Sequence, residues 1–463
     1  MTDVSRIVRS VAGAVVAVVA VAGVAAGVLL GTTDHTTTPI AITVPPVPAP
    51  TQLTCDGPLL AIGRNAGAAA QVSVAHPQTV TTATVPGTAA PTVRSLSAPA
   101  VEGPGGPEVV TAQPSGRTAA RVAASGAASA ADPDMTGFAV SACHPSLMQS
   151  WLVGGASTTG SADLVVLANP GVVPATVELT VYGPQGAEVP PGASGIVVAP
   201  GTQQVVPLAG LVLGATTPIV QVVASGAPVQ ASLQTSIVRT LVPGGVDQVD
   251  AIATAADALV IPGLRIQHVD SDDDSPTTML RIMATAKGTS AVVSVTPSDG
   301  KGASPATQKI PLVAGQPVEV ELGGLTPGTY TVSVEATAPV VASVWHATGF
   351  DAGSDFAWYA PAPALTTATP IAVPAGAGAQ LAIANAGSKD AQVTVQQTDG
   401  ASQTVSVPAG RSVTVPVKAG ESYVLDPGGS PVQASVSFSS TGALAAFPVW
   451  GTDAASAPIT VHP

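Results

Sequence analysis

Charge is scarce in this sequence, and positive charge scarcer still: charged residues make up 9% of the 463, with 15 Lys and Arg against 28 Asp and Glu. A net charge of −13 removes the basic footprint that nucleic-acid binding needs, so no nucleic-acid partner is expected. The same charge repels anionic lipids and phosphates, which leaves solubility as the plainer account of the acidity and recognition of a cationic partner as the other. The six histidines, His35, His76, His144, His268, His346 and His462, show no metal-ligand spacing and no HExxH, and no GxSxG is present. No cofactor and no enzymatic activity are therefore expected. Helix formers of the Leu, Glu and Lys type are few. Ala is abundant, but the stretches that escape Gly and Pro beyond the first thirty residues lack an apolar stripe at helical spacing.

What is plentiful is Gly (48), Pro (44), Val and Thr, a composition of short strands and turns, so an all-β fold is expected. The length favours three or four domains once an N-terminal segment is set aside. Residues 1–10 carry Arg6 and Arg9, and residues 11–30 read VAGAVVAVVAVAGVAAGVLL without a charge. Twenty such residues suffice for a transmembrane helix, and the arginines hold residues 1–10 in the cytoplasm, which puts the C-terminal bulk in the extracellular space. Cleavage as a signal peptide at Ala20-Val21-Ala22 or Val24-Ala25-Ala26, with secretion, is the competing reading. Thr32 to Pro50 is rich in Thr and Pro, with residues 31–38 as a spacer and Ile40 to Val44 read as a first strand.

An internal repeat organises the rest. All three asparagines stand in Asn-x-Gly after a short apolar run: Asn65, Asn169 and Asn385. Leu280 to Gly288 is a copy without the Asn. Asn and Gly tolerate positive φ, so each marks a strand-ending turn. An alternating strand follows each turn, as at Ala175 to Val181, and then an expected hairpin, as at Ile196 to Gly201 and Gln204 to Val206. Each copy closes on a Val-x-Ala strand, at Val140, Val229, Val340 and Val432, whose Val and Ala face the core and whose intervening residues face solvent. The result is four modules, 39–146, 147–250, 257–352 and 368–455, read as tandem immunoglobulin-like β-sandwiches, with a β-propeller-like repeat as the alternative. Between Pro77 and Asp134 large apolar side chains are too few for a core, so this low-complexity insert is expected to be loops or disorder.

Cys55 and Cys143 are the only cysteines and bracket the first module. They are read as a disulfide in an oxidising compartment, with two free thiols as the alternative; closing a loop of about ninety residues contributes about 4 to 5 kcal/mol in chain-entropy terms. By the alternation, Cys143 points away from the core and the bridge lies outside the sandwich or at its edge. Asp270, Asp272, Asp273 and Asp274 suggest calcium, but Ser275 and Arg281 stand where an EF-hand needs Gly and Glu, so a solvated loop is the stronger reading. Trp345, Phe350, Phe356, Trp358 and Tyr359 cluster where the third module meets the connector. Junction packing is the plainer account of them, but stacking on sugar rings makes Trp345, Trp358 and Tyr359 candidate ligand-binding residues.

Cys143-His-Pro-Ser146, Trp151-Leu-Val-Gly-Gly155, Leu164 to Gly171 and Trp358-Tyr-Ala-Pro361 together resemble an uncharacterised family of actinobacterial membrane-anchored extracytoplasmic proteins, a domain of unknown function. The resemblance implies a Gram-positive cell-envelope setting and transfers no catalytic residue. The leading expectation is a non-enzymatic, membrane-anchored cell-envelope protein, a structural rod or protein-interaction scaffold for an envelope protein or polysaccharide partner. A carbohydrate-binding module array and a secreted hydrolase without a recognisable motif are the alternatives.

Overall fold

Period-two alternation of Val with polar residues, cut every few positions by Gly or Pro, gives strands of a few residues that must pair to satisfy their backbone. In the computed structural model, which describes residues 3–30, 42–44, 48–63, 71–267, 275–300, 307–398, 400–451 and 459–461, almost all of the regular structure is β. The chain divides into two units, Met1–Val47 with Ser456–Pro463, and Pro48–Ala455. The spacer, Asn65, the acidic residues 270–274, His35, His268 and His462 lie outside the described residues.

The smaller unit contains one helix, Asp3–Leu30, whose stretch Ile7–Gly27 is long and apolar enough to cross a membrane. It also contains a two-stranded antiparallel ribbon in which Ile42–Val44 pairs with Ile459–Val461, Ile42 opposite Val461. Residues 42–44 therefore belong to the smaller unit and do not open the first module. Both strands read Ile-Thr-Val, and two β-branched, half-apolar strands pair readily with each other.

Within Pro48–Ala455 the second module is a two-sheet sandwich. One sheet is ordered Gln149–Val153, Ile219–Ser225, Ala175–Gly183, Gly186–Glu188; the other Thr202–Pro207, Leu164–Asn169, Gln230–Arg239, Val242–Val249. Leu152, Val177 and Val220 from the first meet Leu167, Ala231 and Leu233 from the second in one core. The fourth module repeats the plan: Thr369–Ala372, Ser422–Asp426, Ala391–Gln397, Ser402–Val407 face Arg411–Pro416, Gln380–Asn385, Gln433–Ser440, Ala443–Pro448. The expected hairpins are arches. Ile196–Val198 pairs with Ala175–Gly183 while Thr202–Pro207 pairs with Leu164–Asn169, so the Pro-Gly turn between them crosses from one sheet to the other.

The asparagine turns are alike to the atom. The Asn169 Nδ2 donates to Val173 O (2.8 Å) and Val198 O (3.0 Å), and its Oδ1 accepts the Gly171 N–H (2.9 Å). Asn385 does the same with Lys389 O (2.8 Å), Val407 O (2.9 Å) and the Gly387 N–H (2.9 Å). Because Val198 and Val407 belong to the opposite sheet, the side chain ties the two leaves together. Asn385→Ala is expected to lower the unfolding free energy by about 2 kcal/mol, the cost of one buried and two partly buried backbone groups losing their partner. A urea midpoint unchanged from wild type would contradict this role.

The third module departs from its neighbours at one strand. Where the second and fourth break with Gly226 and with Gly428-Gly429, all at positive φ, residues 336–339 read Ala-Thr-Ala-Pro. With no glycine to turn on, Gly328–Ala347 continues as one twenty-residue strand shared by both leaves. Its first half pairs with Ala256–Ile266 and Thr289–Pro297, its second with Thr278–Ala284 and Phe356–Tyr359.

The modules are not strung as a rod. They pack on one another, and the closing strands are buried on both faces. Val140, Ser141, Ala142 and Cys143 are all buried, as are Val229, Gln230, Ala231 and Ser232. Alternation implies one wet face, but the second face is covered by another module, as where Gln230 of the second module meets Asp56 of the first. Long polar side chains there stand in for missing strand partners: Gln234 accepts the Leu60 N–H and donates to Leu60 O, both at 2.7 Å. Gln248 donates to Gly57 O (2.9 Å) and accepts from Gln78 (3.1 Å).

Burial of the second face overturns two expectations. The Cys55–Cys143 disulfide forms. It lies in a buried cluster with Leu53, Val110, Val122 and Ala124, so Cys143 points into a core and not away from one. The low-complexity insert is also ordered, with strands Thr79–Thr84, Thr92–Ser95, Val101–Glu102, Glu108–Ala112 and Val122–Asp132. Its small residues let Val122–Asp132 lie close against the fourth module, where the Ser125 hydroxyl donates to Ala372 O (2.9 Å) and Ala127 joins the Ile371 and Val373 core. The apolar surface that the insert lacks is supplied by its neighbour.

Candidate functional site

The connector after the third module carries aromatics on alternate positions, and pairing decides where they point. Phe356–Tyr359 lies antiparallel to the end of the long strand with Trp345 directly opposite Trp358. Phe356, Trp358 and Trp345 therefore share a face, and Tyr359 takes the other. Tyr359 is buried in the core of the third module, where its hydroxyl accepts the Arg265 N–H (3.4 Å), away from the two tryptophans.

Trp345 and Trp358 line a cleft of about 190 Å³ between the second and third modules. Trp358 is buried and Trp345 half-buried. Trp345 is backed by Phe350, stacked at 6.4 Å between ring centroids, and by Phe356 at 6.3 Å. The Arg239 guanidinium covers Phe350 at 4.6 Å. Such a backed ring is pre-set before anything meets its face. The other aromatics serve at junctions. Trp151 packs with Ile252, Met283 and Val341, and Trp450 stacks on His144 at 5.0 Å.

Three charged side chains also line the cleft: Asp163, Arg281 and Glu319. The Arg281 Nε and Nη2 donate to Glu319 Oε1 (2.9 and 2.6 Å), its Nη1 to Gly155 O (2.8 Å) and Pro218 O (2.9 Å), and its Nη2 also to Thr216 O (3.2 Å). Its plane lies over Trp358 at 4.7 Å. Burial pulls the guanidinium below its usual value, against the neighbouring Glu319 carboxylate, which holds it up. Every edge of the fork is engaged, so Arg281 fastens the second module to the third and offers no free donor. Asp163 accepts the Ala156 N–H (2.6 Å) on one oxygen and the Ser236 N–H (3.1 Å) on the other. Burial raises it to about 7 against those bonds and Arg281.

Among the described residues, the cleft holds polar side-chain atoms without a protein partner. The Thr235 hydroxyl is buried without one, and Glu319 uses Oε1 alone. Asp163, Thr235 and Glu319 are not singled out by the sequence, and Arg281 only as a departure from an EF-hand. The available signal was charge inside apolar strands, as in Leu280-Arg281-Ile282, in a chain with so little charge. Among the described residues, no three of His, Cys, Asp and Glu converge closely enough to hold a metal ion.

A family model described as a family of unknown function (DUF5719) matches residues 98–418, more than half of the chain. The chain belongs to the DUF5719 family. The DUF5719 match spans every residue of the cleft and both of its modules. No curated protein matches the chain.

Proposed function

We propose that the chain is a non-enzymatic, single-pass membrane protein of an actinobacterial cell envelope, whose body, residues 48–455, stands outside the cytoplasm as an interaction scaffold. The observation that carries this reading is the use made of the charged and polar residues. Arg281, Asp355 and the buried glutamines are engaged as fasteners between modules, and Asp163 is engaged within the second, which leaves a stiff body with a pre-set cleft. The apolar helix, with Arg6 and Arg9 near its N-terminal end, supports the anchor and its orientation, and the disulfide supports an oxidising compartment.

External protease on cells stripped of their wall tests it. The body is expected to be digested while the chain is otherwise recovered, uncleaved, in carbonate-washed membranes. A body protected from external protease would refute the orientation. A mature N-terminus beyond Ala26, recovered from the medium, would replace the anchored form with a secreted one.

A further inference from the structure

We propose that the cleft between the second and third modules binds one uncharged pyranose ring of a polysaccharide. The inference rests on the envelope reading for its setting and on the cleft alone for its chemistry.

Size comes first. At about 190 Å³ the cleft is smaller than the roughly 300–1,000 Å³ of sites for drug-sized molecules, so it takes a ring and not a folded segment. Its wall is the half-buried face of Trp345 beside Trp358, held by Phe350 and Phe356. A pyranose has an apolar C–H face that lies flat on an indole and a rim of hydroxyls that need partners.

The polar atoms then select among flat ligands. The Thr235 hydroxyl, 1% exposed and without a partner, and the Glu319 Oε2 are the groups left to meet a hydroxyl rim. Sugar hydroxyls donate to the carboxylate oxygen and exchange hydrogen bonds with the threonine. Among the described lining residues Arg281 is the cation, and an anionic ligand finds every edge of its fork engaged and two carboxyl groups beside it. An aromatic peptide side chain would satisfy the tryptophan face but leave Thr235 and Glu319 unmet. Uronic acids and phosphorylated sugars are excluded on the same grounds.

The test uses the full chain in a detergent without a sugar headgroup, titrated with neutral hexamers of glucose, mannose and N-acetylglucosamine, and with a galacturonate hexamer. Binding is read by tryptophan fluorescence and calorimetry. At least one neutral hexamer is expected to bind, with Kd raised about tenfold or more in Trp345→Ala and about threefold or more in Thr235→Val and Glu319→Gln, and the galacturonate hexamer is expected not to bind. Thr235→Val removes only an unpartnered hydroxyl, and Glu319→Gln keeps an oxygen for Arg281, so these two variants report even if Trp345→Ala fails to fold. Failure of all three neutral hexamers, equal binding of the anionic one, binding unmoved by Thr235→Val and Glu319→Gln, or displacement of the sugar by a tryptophan-containing peptide at lower concentration would each overturn the proposal. None of these results bears on protease accessibility, so the scaffold reading stands or falls separately.

Discussion

Asp355→Ala is expected to remove roughly 6 kcal/mol from the unfolding free energy of the body, from three or four buried N–H groups orphaned at about 1–3 kcal/mol each. Asp355 opens the connector strand and is held to the third module through Thr348, whose hydroxyl accepts the Asp355 N–H (2.9 Å). One carboxylate oxygen accepts the N–H of Phe138 (2.9 Å) and of Leu444 (3.0 Å), and the other that of Val246 (3.3 Å). Those donors lie in the first, fourth and second modules, so one side chain joins all four. The backbones reach it because Gly137 and Gly245, at φ +134 and +122, have no Cβ; one placed there would stand 2.5 and 2.7 Å from Asp355 Oδ1. Asp355→Asn keeps one acceptor but turns an amide N–H₂ toward other donors, and an intermediate loss is expected. Urea unfolding of the full chain measures both. With native stabilities of about 5–15 kcal/mol, an alanine variant that lost less than about 2 kcal/mol would show that the modules do not depend on this junction.

The features legible in the sequence were the local ones. Asn169 and Asn385 announced their turns because the bonds they make are to residues two and four positions on, and the twenty-residue apolar run announced its helix by length. The all-β class followed from composition. The features that stayed hidden depend on what meets a strand's second face. Val140-Ser-Ala-Cys143 alternates like a half-exposed strand, but Ser141 is buried against Gln248 of the second module and Cys143 in a cluster of its own module. The arches hid for a related reason, since a Pro-Gly turn between two apolar runs reads the same whether the runs pair or pass to opposite sheets. In the cleft, Trp345 and Trp358 could be named from their rarity. Tyr359 was grouped with them because one residue of distance in sequence does not show that a strand sends it to the opposite face. Arg281 and Asp163 bond across from one module to another or across a loop, and spacing along the chain carries no trace of that.

Stability is expected to fall as pH rises from 6.5 to 8.0, the reverse of acid denaturation, because of the buried carboxyls. Asp56, Asp247 and Asp250 are fully buried, with no cation among the causes of their shifts. Burial, reinforced by the neighbouring carboxyls at Asp247 and Asp250, lifts both well above the usual carboxylate range, and burial raises Asp56 to about 7 against its bonds to Ser141, Ser232 and Gln230. In the unfolded chain all three ionise near pH 4. Above that pH the folded state holds protons that the unfolded state has released, so each step up in pH favours unfolding until the folded groups ionise as well. Below pH 6.5 the slope is offset, because His144 and His346 are buried neutral, the latter lowered to about 4, and the unfolded state gains protons there that the folded state refuses. Between 6.5 and 8.0 the carboxyls act without that opposition. One to two protons retained by the Asp247 and Asp250 pair give a loss of roughly 2 kcal/mol per pH unit. Denaturation midpoints at pH 6.5 and 8.0 measure it, and Asp250→Asn, which keeps an oxygen for the Ala142 N–H, is expected to flatten the difference. A midpoint that stays level or rises toward pH 8.0 in the wild type would mean that these carboxylates are ionised in the folded body and matched by counter-charges.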